Sequence, residues 1–246
     1  MDMAFDGGVR GADKTNFLDL QFSGADIETA LDAVTAHASL DLPFAYVTAA
    51  DIDQAAAAAR DPAGRALYDA AWILLNESSV LRKLAARVGF QLPVAGAGNL
   101  AARLLATVID PEEPVTIIGA SAESVERLER VYGLLDVRWR QTPQGLLQDP
   151  GAIVRAAAFA AGQGARFTFI CTGAPVQEMI AYAIAQHAGA SGAGICLDGG
   201  LESVFAAARK RSKLRFVSPA RLWRRYFVDG PKASSLFAAW RASMAA

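Results

Sequence analysis

The chain has 246 residues, 53% of them hydrophobic and 20% charged, with a formal net charge of -1. That is the make-up of a soluble globular protein with one large core, or two smaller lobes sharing a cleft. It excludes a membrane-spanning helix, since no window approaches about 18 uninterrupted apolar residues, and the opening MDMAFDGGVRGADK lacks the basic start and apolar core of a secretory signal.

Residues 1–15 read as a flexible tail. Beyond them, short β-like runs alternate with Ala-rich stretches of helical spacing. This is the pattern of an α/β fold, Rossmann-like, with a mainly parallel sheet flanked by helices. Strands are expected at Asn16 to Phe22, Phe44 to Thr48, Trp72 to Leu75, Val115 to Ile118, Val137 to Arg140, Phe167 to Cys171 and Gly194 to Leu197. The clearest helix is Pro175 to His187, where Val176, Met179, Ile180, Ala183 and Ile184 form one apolar stripe. The α/β core is placed at 16–200, and Asp110-Pro111-Glu112-Glu113-Pro114 is the candidate linker if it divides into two lobes.

In sheets of this kind ligands collect beyond the carboxyl ends of the strands. The residues there are Thr48, Asn76-Glu77, Gly119-Ala120-Ser121, Gly173 to Glu178 and Asp198-Gly199-Gly200. Gly173-Ala174-Pro175 breaks a β-rich run and opens a helix, with Gly173 allowing close backbone approach to a ligand and Pro175 suited to the first helical position. Gln177 and Glu178 then either contact a sugar or base, or solvate the first helical turn. Gly119 to Ser121 resembles a truncated dinucleotide fingerprint without its later glycines, and Ser121 fits a helix cap as well as a phosphate contact. Glu202, after Gly199-Gly200, is placed to reach a sugar hydroxyl or to start a helix.

The histidines, His37 and His187, lack a spaced partner of ligand type, so neither a metal nor a cofactor is expected. Cys171 and Cys196 read as small core residues in a reducing compartment. Neither a GxSxG elbow nor a GxxxxGK loop occurs, which argues against common hydrolases and nucleoside triphosphatases.

Residues 201–246 form a basic, helical appendage. Eight cations and no acid fall between Ser203 and Val228. Arg221, Arg224 and Arg225, interleaved with Leu222, Trp223, Tyr226 and Phe227, suit a helix lying on an anionic bilayer, or one packed on the body with its charges solvated. No nucleic-acid-binding module accompanies them.

Taken in order, NFLDLQFSGADIETALDAV, FAYVTAADIDQAAAAARDPAGRALYDAAWILLNESSV, VTIIGASAESVERLERVYG, the GAPVQE turn and RLWRRYF followed by Gly230-Pro231 resemble the WecG/TagA/CpsF glycosyltransferases of bacterial surface-polysaccharide synthesis. The resemblance runs from about Asn16 to the end. It implies inverting transfer of an N-acetylmannosamine-, mannosaminuronic- or glucuronic-type sugar from a UDP donor to a lipid-linked acceptor. It further implies no essential metal, a peripheral place at the inner face of the cytoplasmic membrane, and self-association. The family's catalytic aspartate aligns with Asn76, an amide that cannot act as a base, so Glu77 and Asp51 are the carboxylates expected to replace it, beside Thr48. The alternative is a catalytically degenerate member that binds a sugar nucleotide or a partner.

Overall fold

The computed structural model describes residues 14–143 and 145–212. In chain order the elements are β1 (Lys14–Phe17), β2 (Leu20–Ser23), α1 (Ile27–Ser39), β3 (Ala45–Ala50), α2 (Ile52–Ala58), α3 (Pro62–Asp69), β4 (Ile73–Asn76), α4 (Ser79–Arg87) and α5 (Ala97–Thr107). They continue with β5 (Val115–Ile118), α6 (Ala122–Tyr132), β6 (Val137–Arg140), a short 3-10 turn, α7 (Pro150–Ala161), β7 (Phe167–Ile170), α8 (Val176–Ala185), β8 (Ala193–Cys196) and α9 (Gly200–Ser212). By density of internal contacts, residues 1–208 make one unit and 209–246 another.

Six strands form a single parallel sheet in the order β4-β3-β8-β7-β5-β6. The sheet confirms an α/β, Rossmann-like architecture. Strands from before and after Asp110–Pro114 share it, β3 pairing with β8. Alternate residues of each strand point to opposite faces. On one face Val47, Ala49, Ile117, Phe169 and Ile195 meet the apolar sides of α1, α5 and α6. On the other, Tyr46, Ile118, Ile170 and Cys196 meet α7 and α8. A third cluster closes the β4 edge with Leu20 and Phe22 of β2, Ala55 of α2, Tyr68 of α3 and Leu81 of α4.

The expected strand Asn16 to Phe22 is instead a hairpin, β1 antiparallel to β2. Its two turn residues, Leu18 and Asp19, both have positive φ (54° and 60°), as a tight two-residue turn that follows the strand twist requires. The other strand expectations hold to within one or two residues. Both cysteines are free, Cys196 buried and Cys171 partly so, and burial pushes the Cys171 thiol up to about 12.

Helix α6 covers one face and α8 the other, so the chain leaves β5 and β7 in opposite directions and opens a crevice between their tips. Gly119 and Thr172 face each other there: with φ +87°, Gly119 would bring a Cβ to 2.4 Å from Thr172 Cγ2. The carbonyl of Ala120, next along, accepts from Trp139 Nε1 at 2.9 Å, which pins the turn to β6. Gly119→Ala is expected to lose about 2–4 kcal/mol of stability, from left-handed backbone strain plus overpacking, measured by urea unfolding.

Candidate functional site

The parallel ladder continues past the strand ends, so the connecting loops leave the sheet side by side. Glu77 N–H donates to the Ala50 carbonyl (3.0 Å), Cys171 N–H to Ile118 (2.8 Å) and Leu197 N–H to Ile170 (2.8 Å). Asp51, Glu77, the 172–175 turn and Asp198 therefore lie along one edge.

The GAPVQE segment is built differently from its sequence expectation. Helix α8 begins at Val176, and Pro175 is its N-cap rather than its first helical residue, after a cis Ala174–Pro175 bond. Gly173 has φ +78°, a left-handed conformation that favours glycine. Ala174 N–H, an amide expected to face a ligand, donates to Asp198 Oδ1 at 3.0 Å. Sequence reasoning noted Asp198 only as part of a turn. Its sole sequence signal was its place directly after an apolar run.

Gln177 and Glu178 neither solvate the helix start nor project outward. Each is 1% exposed, turned against the β3 face. Glu178 Oε1 accepts from Thr48 Oγ1 (2.6 Å) and from Gln177 Nε2 (2.9 Å). Thr48 is fully buried in β3, so strand and helix are joined by this carboxyl. Glu178 Oε2 and Gln177 Oε1 are buried with no hydrogen-bond partner among the described residues. Burial holds the Glu178 carboxyl above its ordinary value, only partly offset by Thr48 and Gln177, and the Asp198 charge adds to the rise.

The carboxylates divide by environment. Asp51 caps α2: its Oδ1 accepts from Asp53 N–H and Gln54 N–H (2.9 Å each), while Gln54 Oε1 accepts from Asp51 N–H. Glu77 is capped by nothing comparable. Its carboxylate lies over Gly96, where a Cβ would come within 2.6 Å of Oε1. Glu77 is exposed, but partial loss of water around its carboxyl, then the charges of Asp198 and Asp51, raise its pKa. A carboxylate of this kind holds a proton more readily than a free one, which suits general-base work near neutral pH.

Asn76 is 1% exposed and committed to the chain around it. Its Nδ2 donates to the carbonyls of Pro93 (3.1 Å) and Leu92 (3.5 Å), and its Oδ1 accepts from Ser78 N–H (2.9 Å). An aspartate could not donate to those two carbonyls unless protonated. The remaining sequence candidates make local contacts. Ser121 caps α6 through Ser124 N–H (3.3 Å). Glu202 pairs with Arg127 (2.9 Å) at the surface. Gly199 and Gly200 carry the chain into α9, Gly200 with φ +56°. Arg221, Trp223, Arg224 and Arg225 lie outside the described residues. Among the described residues no cluster of three His, Cys, Asp or Glu side chains could hold a metal ion, and no helix is long and apolar enough to cross a membrane.

Two expectations follow. Asn76→Asp should cost about 1–3 kcal/mol at neutral pH, by setting a carboxylate against two carbonyl oxygens, as read by urea unfolding. Glu178, with its folded pKa above the ordinary 4.5, stabilises the fold fully in acid and loses that contribution as pH rises through the folded pKa. Glu178→Gln should therefore flatten the fall in urea midpoint as pH rises above 4.5, whereas an unchanged slope would assign the titration elsewhere.

No curated protein matches the chain significantly. A family model, described as the glycosyl transferase WecG/TagA/CpsF family, matches residues 15–245, which takes in the whole sheet, the GAPVQE turn and the basic carboxyl segment. With nearly its full length matched, the chain belongs to the WecG/TagA/CpsF family of glycosyltransferases, whose work is cell-surface polysaccharide synthesis.

Proposed function

We propose that the protein is an inverting transferase that moves a sugar from a UDP donor to a lipid-linked acceptor, with Glu77 as the general base. One observation carries the assignment of the base. Among the described residues, Glu77 is the carboxylate at the strand tips whose pKa is raised while its oxygens are not tied up in a cap or a buried network. Asp51 is held by two backbone amides, Asp198 by one, and Asn76 has no proton-accepting role to offer.

In the proposed step Glu77 takes the proton of the acceptor hydroxyl as its oxygen attacks the anomeric carbon. The bond from that carbon to the diphosphate oxygen breaks, and UDP leaves with the electron pair. Attack from the face opposite the leaving group inverts the centre. The turn at Gly173 and Ala174, with Gly119 across the crevice, gives the donor its closest backbone approach. Gln177 Oε1 and Glu178 Oε2, buried and without a partner among the described residues, would accept from a hydroxyl or an imide N–H only if the donor's approach opened the start of α8.

Charge on the departing diphosphate calls for cations. Asp51, Glu77 and Asp198 supply the opposite sign, so Arg221, Arg224 and Arg225 are the residues the sequence offers for the diphosphate or for an anionic membrane surface. The donor sugar and acceptor are proposed from the family.

Glu77→Gln tests the reading against a non-catalytic sugar-nucleotide binder. Under the proposal turnover with a lipid-linked acceptor falls at least about a hundredfold while calorimetric titration still detects UDP-sugar binding. A parent chain that binds a panel of UDP-sugars without transferring any would establish the binder instead.

A further inference from the structure

The segment 78–109, which follows directly on Glu77, contains no acidic residue in a chain whose net charge is -1. Three of its cations, Arg82, Lys83 and Arg87, are exposed on α4, and no ion pair among the described residues involves them. Apolar side chains stand among them. Val80 is 50% exposed, Val88 62%, Phe90 42% and Val94 45%. On the helix, Val80, Lys83 and Arg87 share one outer stripe at spacings of three and four, opposite the buried Leu81 and Ala85. Phe90 packs edge-on against Phe17 (ring centroids 6.4 Å apart), which brings the hairpin tip, with Leu18 42% exposed, to the same patch. A groove of about 470 Å³ runs between α4 and the following loop, floored by Ala86, Phe90, Leu92 and Pro93 and rimmed by Arg82.

Scattered surface hydrophobes need no explanation, but four between positions 80 and 94, beside cations with no ion pair among the described residues, do. We propose that α4 and the loop 88–94 are a membrane-contact surface, which seats Val88, Phe90 and Val94 in the headgroup region of an anionic bilayer with Arg82, Lys83 and Arg87 on its phosphates. Cations beside apolar and aromatic side chains are the composition of an interfacial element. Charge also selects the occupant. A second copy docked symmetrically would set the same three cations against themselves, whereas an anionic lipid surface complements them. The acids nearest in sequence do not neutralise the patch: Asp19 leans toward Arg65 (3.9 Å) and Glu77 over Gly96.

The surface is tied to the strand tips. Ser78 Oγ accepts from Val80 N–H and Leu81 N–H to start α4, and Asn76 clamps Ser78 and the carbonyls of Leu92 and Pro93 together. Under the proposed function, whose lipid-linked acceptor gives the contact its purpose, this would set Glu77 at the bilayer face.

The test uses the full chain with Val88→Cys carrying an environment-sensitive fluorophore, and vesicles of phosphatidylglycerol mixed with phosphatidylcholine. Expected is a blue shift on adding these vesicles, little with phosphatidylcholine alone, and none for the same label at Val131→Cys on α6 or for the parent chain. Adding Arg82→Glu and Lys83→Glu should raise the lipid needed for half the shift at least about tenfold. Chain that pellets with the vesicles while the label at position 88 stays in water overturns the proposal, as does an unchanged lipid requirement in the charge-reversed chain. A shift that appears with protein concentration and no vesicles assigns the face to a second copy, and one that needs an added protein assigns it to that partner; either overturns the proposal. None of these readings depends on turnover, so the loss of the transferase assignment would leave the result standing.

Discussion

Burial of the Glu178 carboxyl against β3 is the constraint from which the arrangement of the cleft follows. An ionised carboxylate without water is costly enough that the group must be hydrogen-bonded or neutral. Here Thr48 and Gln177 both donate to one of its oxygens, and the pKa is still raised. The network fixes the first turn of α8 onto the strand next to β8. With that turn fixed, Gly173 and Ala174 are held at the sheet's edge, within reach of Asp198. Tyr46 and Tyr68, packed nearby, have their own ionisation pushed well up by desolvation and by the Glu178 charge, so a deprotonated phenol has no place in this interior.

The same electrostatics decide which carboxylate is free to act. Asp51, Glu77 and Asp198 leave neighbouring strand ends and repel one another, and backbone amides relieve two of them. The start of α2 gives Asp51 two N–H donors, and Ala174 gives Asp198 one. Glu77 receives the residual repulsion together with partial loss of water, which raises its affinity for a proton. Environment rather than residue type thus distinguishes three similar carboxyl groups: two accept backbone amides, and the third has a raised pKa.

Much of the fold was legible because parallel strands buried on both faces read as short β-branched runs between helical stripes. Val115–Ile118 and Val137–Arg140 needed no correction. The β1–β2 hairpin was hidden because Leu18-Asp19 lacks the Asn-Gly or Gly signature that usually announces a turn with positive φ, so the run to Phe22 read as continuous. The tips of the strands could be named from sequence, but the direction of each side chain could not. Gln177 and Glu178 look like an ordinary polar helix start. Their burial depends on Thr48, 130 positions away from Glu178, and no local pattern encodes that contact. Asp198 was named only as part of a turn for a related reason, since its partner is a backbone amide from a different loop.

Where the family resemblance leads one to expect an aspartate, Asn76 offers an amide that differs from it in two properties together. An aspartate at that strand end would offer a base but would face the carbonyls of Leu92 and Pro93 with oxygen against oxygen. The amide reverses the sign of that contact: it donates to both carbonyls and still accepts from Ser78 N–H. What is lost as proton acceptor is gained as a clamp between β4, the start of α4 and the loop at 92–93. The next residue, Glu77, is exposed, yet partial desolvation of its carboxyl and then the charges of Asp198 and Asp51 lift its pKa. A clamp and an adjacent carboxylate go together: the first fixes the backbone from which the second projects, so the base proposed at Glu77 would be carried by the same strand end that anchors α4.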